Sequence, residues 1–256
     1  MTQKTPTALS VNLNKIALLR NSREGSYPDV VAHARTCIAA GADGITIHPR
    51  PDQRHIRVGD VVDLHQMLQS EATIEFNIEG NPFAGAMGSY PGFMELVEQN
   101  IPEQCTLVPD SNDQLTSDHG FDLTQSGDRL LPIIEKLQSL GCRISLFMDP
   151  DIEQIKLAKD IGADRIELYT GPYAEAYKNQ SPELEGIFQS YYEAAVAAQE
   201  IGLGLNAGHD LNLDNLPKFR EIPNLLEVSI GHALTVDSIA MGMSTAVARY
   251  KNICIS

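Results

Sequence analysis

The feature that most constrains this chain is a junction that recurs along it. Ala40-Gly41-Ala42-Asp43 leads into Gly44-Ile45-Thr46-Ile47, and Ile161-Gly162-Ala163-Asp164 leads into Arg165-Ile166-Glu167-Leu168. A third variant, Leu140-Gly141-Cys142, precedes Arg143-Ile144-Ser145-Leu146. Each is a glycine that stops a helix, followed by a tight turn into a β-rich run. A chain that repeats this device is built from βα units around a parallel sheet.

Hydrophobic patterning extends the same reading from end to end. Strands are predicted at Ala8 to Val11, Gly44 to His48, Thr73 to Phe76, Cys105 to Val108, Arg143 to Met148, Arg165 to Leu168, Gly204 to Ala207 and Leu226 to Ile230. Amphipathic helices fall between them at 29–40, 61–69, 92–100, 127–140, 152–161, 182–201, 216–221 and 236–250. About eight units in 256 residues is the size of one (β/α)8 barrel. The expected fold is therefore α/β, a single TIM barrel over residues 1–256 with a few extra short helices. A doubly wound open sheet satisfies the same strand count, although no GxGxxG follows the first strand.

Composition narrows the partners. With 34 acidic against 19 basic residues the formal charge is -15, a field that repels nucleic acid and anionic membranes. Any cluster of cations must then hold anions by itself. No signal-like segment or bilayer-length apolar run is present, which predicts a soluble cytoplasmic protein. Cys37, Cys105, Cys142 and Cys254 lack CxxC spacing and read as buried thiols rather than a disulfide or zinc set.

Chemistry gathers at the predicted strand ends. His48 and Arg50 end the second strand, with Arg54 and His55 in the same loop; His209 follows the seventh and His232 the eighth. Glu75 lies inside the short third strand with inward parity, and Glu167 occupies the middle of the sixth, where an unpaired carboxylate is costly to bury. His33 and His65 fall on helices and read as solvated. An imidazole titrates near neutral pH, so His48 and His209 suit proton transfer, and an enclosed Glu75 would have its proton affinity raised. The long polar stretches Gly80 to Gly92 and Pro109 to Asp128 follow strands and so belong at the C-terminal mouth, where such barrels keep their sites.

Two cationic or dipolar features suit anions. Asn12, Lys15, Arg20 and Arg23 form a basic segment, read as a loop, directly after the first strand. Gly231-His232 precedes the last predicted helix, whose free N–H groups favour phosphate. Arg50 with His55 forms a separate site elsewhere on the rim. Two anion sites flanking a proton-transfer cluster imply two phosphorylated substrates or one bisphosphate.

The runs Val11 to Arg23, Gly41 to Arg50 with Arg54-His55-Ile56, Ser145-Leu146-Phe147, Asn206 to His209 and Ile230 to Ala233 together resemble the pyridoxine 5'-phosphate synthase (PdxJ) family over essentially the whole chain. The resemblance implies condensation of 1-deoxy-D-xylulose 5-phosphate with 3-amino-2-oxopropyl phosphate, without cofactor or metal, in a cytoplasmic homo-octamer. It implies His48 as proton acceptor, Glu75 as a second acid or base, His209 as proton donor and Glu167 as a stabiliser of the reacting groups. Arg50, His55 and Thr116 would hold the deoxyxylulose phosphate; Asn12, Arg23, Gly231 and His232 would hold the aminoketone phosphate. Asn14, Lys15 and Asp210 stand beside the substrates where many members have Asp-His and Gly. Two other readings share the residues: a metal-dependent sugar-phosphate epimerase or aldolase with His48, Glu75, His209 and His232 as ligands, and a non-catalytic phosphate binder.

Overall fold

The computed structural model describes residues 6–256. Its elements run β1 (Ala8–Asn12), α1 (Asn14–Asn21), α2 (Val30–Ala39), β2 (Gly44–Ile47), α3 (Val58–Leu68), β3 (Glu75–Gly80), α4 (Phe93–Gln99), β4 (Gln104–Leu107), α5 (Leu123–Ser139) and β5 (Arg143–Met148). Then come α6 (Ile152–Asp160), β6 (Arg165–Tyr169), α7 (Gly171–Lys178), α8 (Leu184–Glu200), β7 (Gly204–Gly208), α9 (Leu216–Phe219), β8 (Leu225–Ile230), α10 (His232–Met241) and α11 (Met243–Ile255). The eight strands form one closed parallel barrel in sequence order, sealed where Ala8–Val11 pair with Glu227–Ile230 of the last strand. Closure excludes the open sheet.

Strand alternation sends two different chemistries to the two faces. Leu9, Val11, Ile45, Ile47, Phe76 and Ile78 point outward, are at most 1% exposed, and pack beneath the helices in one continuous apolar layer. The alternate positions line the barrel and are mostly polar, with Phe147 an apolar exception. In the middle tier Ser10 Oγ and Thr46 Oγ1 lie 2.7 Å apart, Asn77 Nδ2 donates to Thr46 Oγ1 at 3.2 Å, and Thr106 Oγ1 donates to Asn77 Oδ1 at 3.1 Å. At the N-terminal end Arg143 binds Glu75 and Gln104, while Arg165 Nη1 reaches Asn206 Oδ1 at 3.0 Å and Glu227 Oε2 at 3.3 Å. Buried polar groups persist only where they satisfy one another, and this ring does so.

The glycine junctions behave as the sequence implies. Gly41, Gly141 and Gly162 all take positive φ immediately after α2, α5 and α6, and Asp43 and Asp164 each accept a backbone N–H of a neighbouring strand, from Leu9 and Ile144. Asp29, Asp122 and Asp151 cap α2, α5 and α6 by accepting first-turn N–H groups. All four cysteines are buried free thiols.

Four expectations are corrected. The basic segment after β1 is the helix α1, because Ile16, Ala17 and Arg20 share a buried face. Arg20 is thereby removed from anion binding: it is paired with Asp60, and its Nη2 donates to the His55 carbonyl at 3.0 Å. The third strand runs from Glu75 to Gly80 rather than from Thr73 to Phe76, since Asn77 and Glu79 are at home on a polar barrel lining. The last predicted helix is two helices broken at Gly242, whereas α7, after β6, is one of the extra short helices expected.

The ring at the N-terminal end yields a prediction. Arg165→Ala leaves the Glu227 carboxyl in a buried pocket without its cation, and urea unfolding should show a loss of roughly 2–4 kcal/mol. Adding Glu227→Gln should recover part of that loss.

Candidate active site

At the C-terminal mouth, contacts pass from strand to strand around the barrel. Asn12 Nδ2 faces Glu79 Oε2 at 3.5 Å across β1 and β3, and Asn12 Oδ1 accepts the Asn14 N–H at 2.9 Å. Asn14 Oδ1 in turn accepts the His48 backbone N–H at 2.8 Å. His48 stands between two carboxyl groups: Nδ1 lies 3.6 Å from Glu79 Oε1 and Nε2 lies 3.7 Å from Asp110 Oδ2. All three side chains are buried or nearly so.

The seventh and eighth strands complete the circuit. His209 Nε2 lies 2.9 Å from Thr116 Oγ1, which the loop after β4 carries over, and its Nδ1 lies 3.0 Å from Asp210 Oδ2. Tyr169, ending β6, sets its ring edge-on to this imidazole at 5.1 Å. His209 and Asp210 both take left-handed backbone, φ 78° and 61°, a conformation a non-glycine residue adopts only when held. Thr170 Oγ1 holds it, donating to the carbonyls of Gly208 and His209. A Cβ at Gly208 would stand 2.2 Å from Glu167 Oε1, so a side chain there would displace that carboxyl. Gly231 precedes the first residue of α10 and approaches Asn12 closely, with 3.0 Å between a Cβ built at Gly231 and the Asn12 Cβ.

The rim cations are tightly held. Arg50 is 4% exposed; it pairs with Asp110 and donates to the carbonyls of Ser111 and Gln114. Arg54 donates to the Gln114 and Asn112 carbonyls, so two arginines staple the loop after β4 onto the loop after β2. His55 Nδ1 accepts the Ile56 N–H at 2.9 Å, which places the ring proton on Nε2. Asn21 Nδ2 and Arg20 both donate to the His55 carbonyl and fix this turn from α1.

Burial divides the titrating groups. Desolvation, reinforced by Arg50, lowers His48 well below the usual imidazole range, and the same two causes bring His55 down to about 3. Both rings are neutral at neutral pH. Desolvation and the neighbouring Asp110 raise Glu79 to about 8, and desolvation with Glu79 and Glu227 raises Glu167 well above the carboxylate range. The Lys15 cation acts on both His55 and Asp210, and His232 acts on Asp210, so Lys15 lies within electrostatic range of both groups and His232 within range of Asp210. The arrangement sets a neutral base, His48, against a protonated acid, Glu79, at contact range.

Most of the residues singled out in the sequence are therefore gathered here: Asn12, Asn14, Lys15, His48, Arg50, His55, Thr116, Glu167, His209, Asp210, Gly231 and His232. Arg23 lies on the exposed turn that follows α1. Glu75 is not gathered. It sits at the opposite end of the barrel with Arg143, because β3 starts at Glu75 and reaches the mouth four residues later. Glu79, of the same parity, occupies the place expected of Glu75. Asp110 was also missed, although it follows the strand-ending pair Val108-Pro109. The ligand set of the metal-dependent reading is not assembled, since it includes Glu75; among the described residues no three His, Cys, Asp or Glu side chains are grouped to hold a metal ion.

Comparison with known proteins bears directly on this site. The profile of the family described as "Pyridoxal phosphate biosynthesis protein PdxJ" matches residues 9–256. The chain belongs to the PdxJ family. It is 54% identical over 246 residues to the pyridoxine 5'-phosphate synthase of Xanthomonas campestris pv. campestris strain B100, covering 95% of this chain and 94% of the relative. The protein of that name from Xanthomonas oryzae pv. oryzae strain PXO99A is 52% identical, with 96% of each chain covered, and that from Xylella fastidiosa strain 9a5c is 49% identical, with 96% and 94% covered. Solved structures add the fold alone. An Aquifex aeolicus VF5 protein superposes with TM-score 0.62 at 12% identity over 97% of this chain and 93% of its own. Monomers of a dimeric phosphoribosylanthranilate isomerase from Thermotoga maritima give 0.57 at 9%, over 97% and 98%.

Two outcomes test the placement. Glu79→Gln should lower turnover by at least about a hundredfold, the scale of a lost acid or base, whereas Glu75→Gln should stay within a few-fold of the parent in steady-state assays. The raised carboxyls also make stability fall with pH. Glu79 and Glu227, the latter raised to about 7 by burial and Glu75, keep their protons in the fold while the unfolded chain has lost them. Above pH 6.5 the lowered histidines no longer offset this, being neutral in both states. Melting temperature should drop between pH 6.5 and 8, and Glu79→Gln should flatten the drop.

Proposed function

We propose that the mouth of this barrel condenses 1-deoxy-D-xylulose 5-phosphate with 3-amino-2-oxopropyl phosphate to pyridoxine 5'-phosphate, inorganic phosphate and water, the activity its relatives are named for. The observation that carries this reading is the insertion of His48 between Glu79 and Asp110, with anion-binding groups to either side. Addition of an amine to a ketone, loss of phosphate and ring closure require protons to be taken and returned several times in one pocket. His48, neutral, takes them; Glu79, protonated up to about pH 8, returns them. His209, with the Asp210 carboxylate 3.0 Å from Nδ1 and Thr116 facing Nε2, is the donor on the opposite wall. Glu167 lies beneath, against Gly208, where its neutral carboxyl orients the reacting groups without adding charge.

Phosphates fit at two places. Arg50, His55 through its Nε2–H, and Thr116 form the site for the sugar phosphate. Asn12, the Gly231–His232 start of α10 and Arg23 form the site for the aminoketone phosphate, which the product retains; the free N–H groups of a helix start favour that anion. Asn14 and Lys15 replace the Asp-His of many members yet keep a contact to the His48 backbone and a cation facing His55. Among the described residues no helix is long and apolar enough to cross a membrane. Leu18, Leu19, Val236 and Ile239, exposed on the contacting helices α1 and α10, offer an apolar face for the octamer that the family resemblance implies; light scattering checks that assembly.

Incubation of the enzyme with both phosphates should produce the ultraviolet absorbance of a substituted pyridine ring and release inorganic phosphate. His209→Ala should lower kcat far more than it changes either KM, and Arg23→Ala should raise KM for the aminoketone phosphate alone. Equal effects of Arg23→Ala on both substrates would remove that residue from the assignment.

A further inference from the structure

Arg50, the cation assigned above to the sugar phosphate, already has an anion. Asp110 begins the loop after β4, and its side chain is 4% exposed. Its Oδ2 accepts from Arg50 Nη2 and from Ser117 Oγ at 2.8 Å, and lies 3.7 Å from His48 Nε2. Arg50 Nη1 donates to the carbonyls of Ser111, at 3.3 Å, and Gln114, at 3.0 Å. The other carboxyl oxygen, Oδ1, is buried and has no hydrogen-bond partner. Asp110 also lines a cavity of about 390 Å³ between the loops after β3 and β4, together with Asn81, Phe83 and Asn112.

A carboxylate and a phosphate dianion cannot both sit on one buried guanidinium without strong repulsion. Either the carboxylate yields its place or it loses its charge. An unpartnered buried oxygen favours the second, since a proton placed there turns a lone acceptor into a donor for a phosphate oxygen. The charged and titrating groups facing Asp110 are Arg50 and His48 from the loop after β2, Glu79 from β3, and Asp118 and His119 from its own loop.

The geometry points to Asp110 as the internal counter-anion of Arg50, which the sugar phosphate replaces as Asp110 takes one proton from solvent, so that this residue sets how strongly the site holds its anion. The step balances: the phosphate gains the guanidinium, and the carboxylate forms one O–H bond with a proton released by solvent or buffer. Burial raises the Asp110 carboxyl and so eases that uptake. The inference rests on the assignment of Arg50 to the phosphate, and its test separates the two.

The experiment is calorimetric titration of the ligand-free enzyme with 1-deoxy-D-xylulose 5-phosphate at pH 7.5, in two buffers of different ionisation enthalpy. The parent, Asp110→Asn, Asp110→Ser and Arg50→Ala are compared, with thermal melts to establish that each is folded. A neutral residue at position 110 should tighten binding by roughly five- to thirtyfold and remove most of the proton uptake seen in the parent, because the ligand no longer competes with a carboxylate. If Arg50→Ala weakens binding but neither neutral variant tightens it, or proton uptake is unchanged, Asp110 is only a structural staple and the inference is overturned. If Arg50→Ala binds the sugar phosphate as the parent does, the phosphate assignment itself is wrong and the inference falls with it. Asp110→Ser provides the same reading should Asp110→Asn not fold.

Discussion

Pairing between β1 and β8 is the constraint on which the rest depends. It is formed from residues more than two hundred positions apart, and it turns a curved ribbon of βα units into a closed wall. Once the wall is closed, every strand presents one face to the barrel interior and the other to the helix layer. The seam also places Asn12 against Gly231, so groups from both ends of the chain share one pocket. A site assembled this way exists only in the complete barrel.

The interior explains the electrostatics of the mouth. Six side chains at the N-terminal end, Glu75, Gln104, Arg143, Arg165, Asn206 and Glu227, are satisfied by one another, and the ionisable groups above them are buried. Groups at the top are therefore driven toward their neutral forms: imidazoles lose protons, carboxyls retain them. That inversion of the usual order at neutral pH is what equips a histidine as acceptor and a glutamate as donor. Charge survives where it is paired, as in Arg50 with Asp110.

Much of this was legible in the order of residues. Repeated Gly-Ala-Asp junctions announced parallel βα units, and histidines at strand ends announced the face that carries chemistry. What was not legible followed from one physical assumption, that a strand is recognised by apolar residues. Asn77 seemed to end the third strand because it is polar, yet in a barrel with a polar lining it lies inside, bonded to Thr46 and Thr106. The strand continues to Glu79, and the functional carboxyl moves four residues along. For the same reason Arg20 looked available until α1 was seen to bury it against Asp60, a partner forty residues away that no local pattern names. Asp110 escaped notice because its meaning lies in what it touches, Arg50 and His48, rather than in its neighbours along the chain.

The opposed chemistry of the two strand faces has a consequence for folding fidelity. In a barrel lined with aliphatic side chains, sliding one strand by a single residue exchanges one greasy face for another of mixed character. Here the slide would push Asn77, Glu79 or Glu167 under the helices and draw Ile78 or Leu168 into a lining of hydrogen-bonding groups, so one error is penalised on both sides of the wall at once. The lining that tunes the mouth thus also proofreads the register of the strands that hold it.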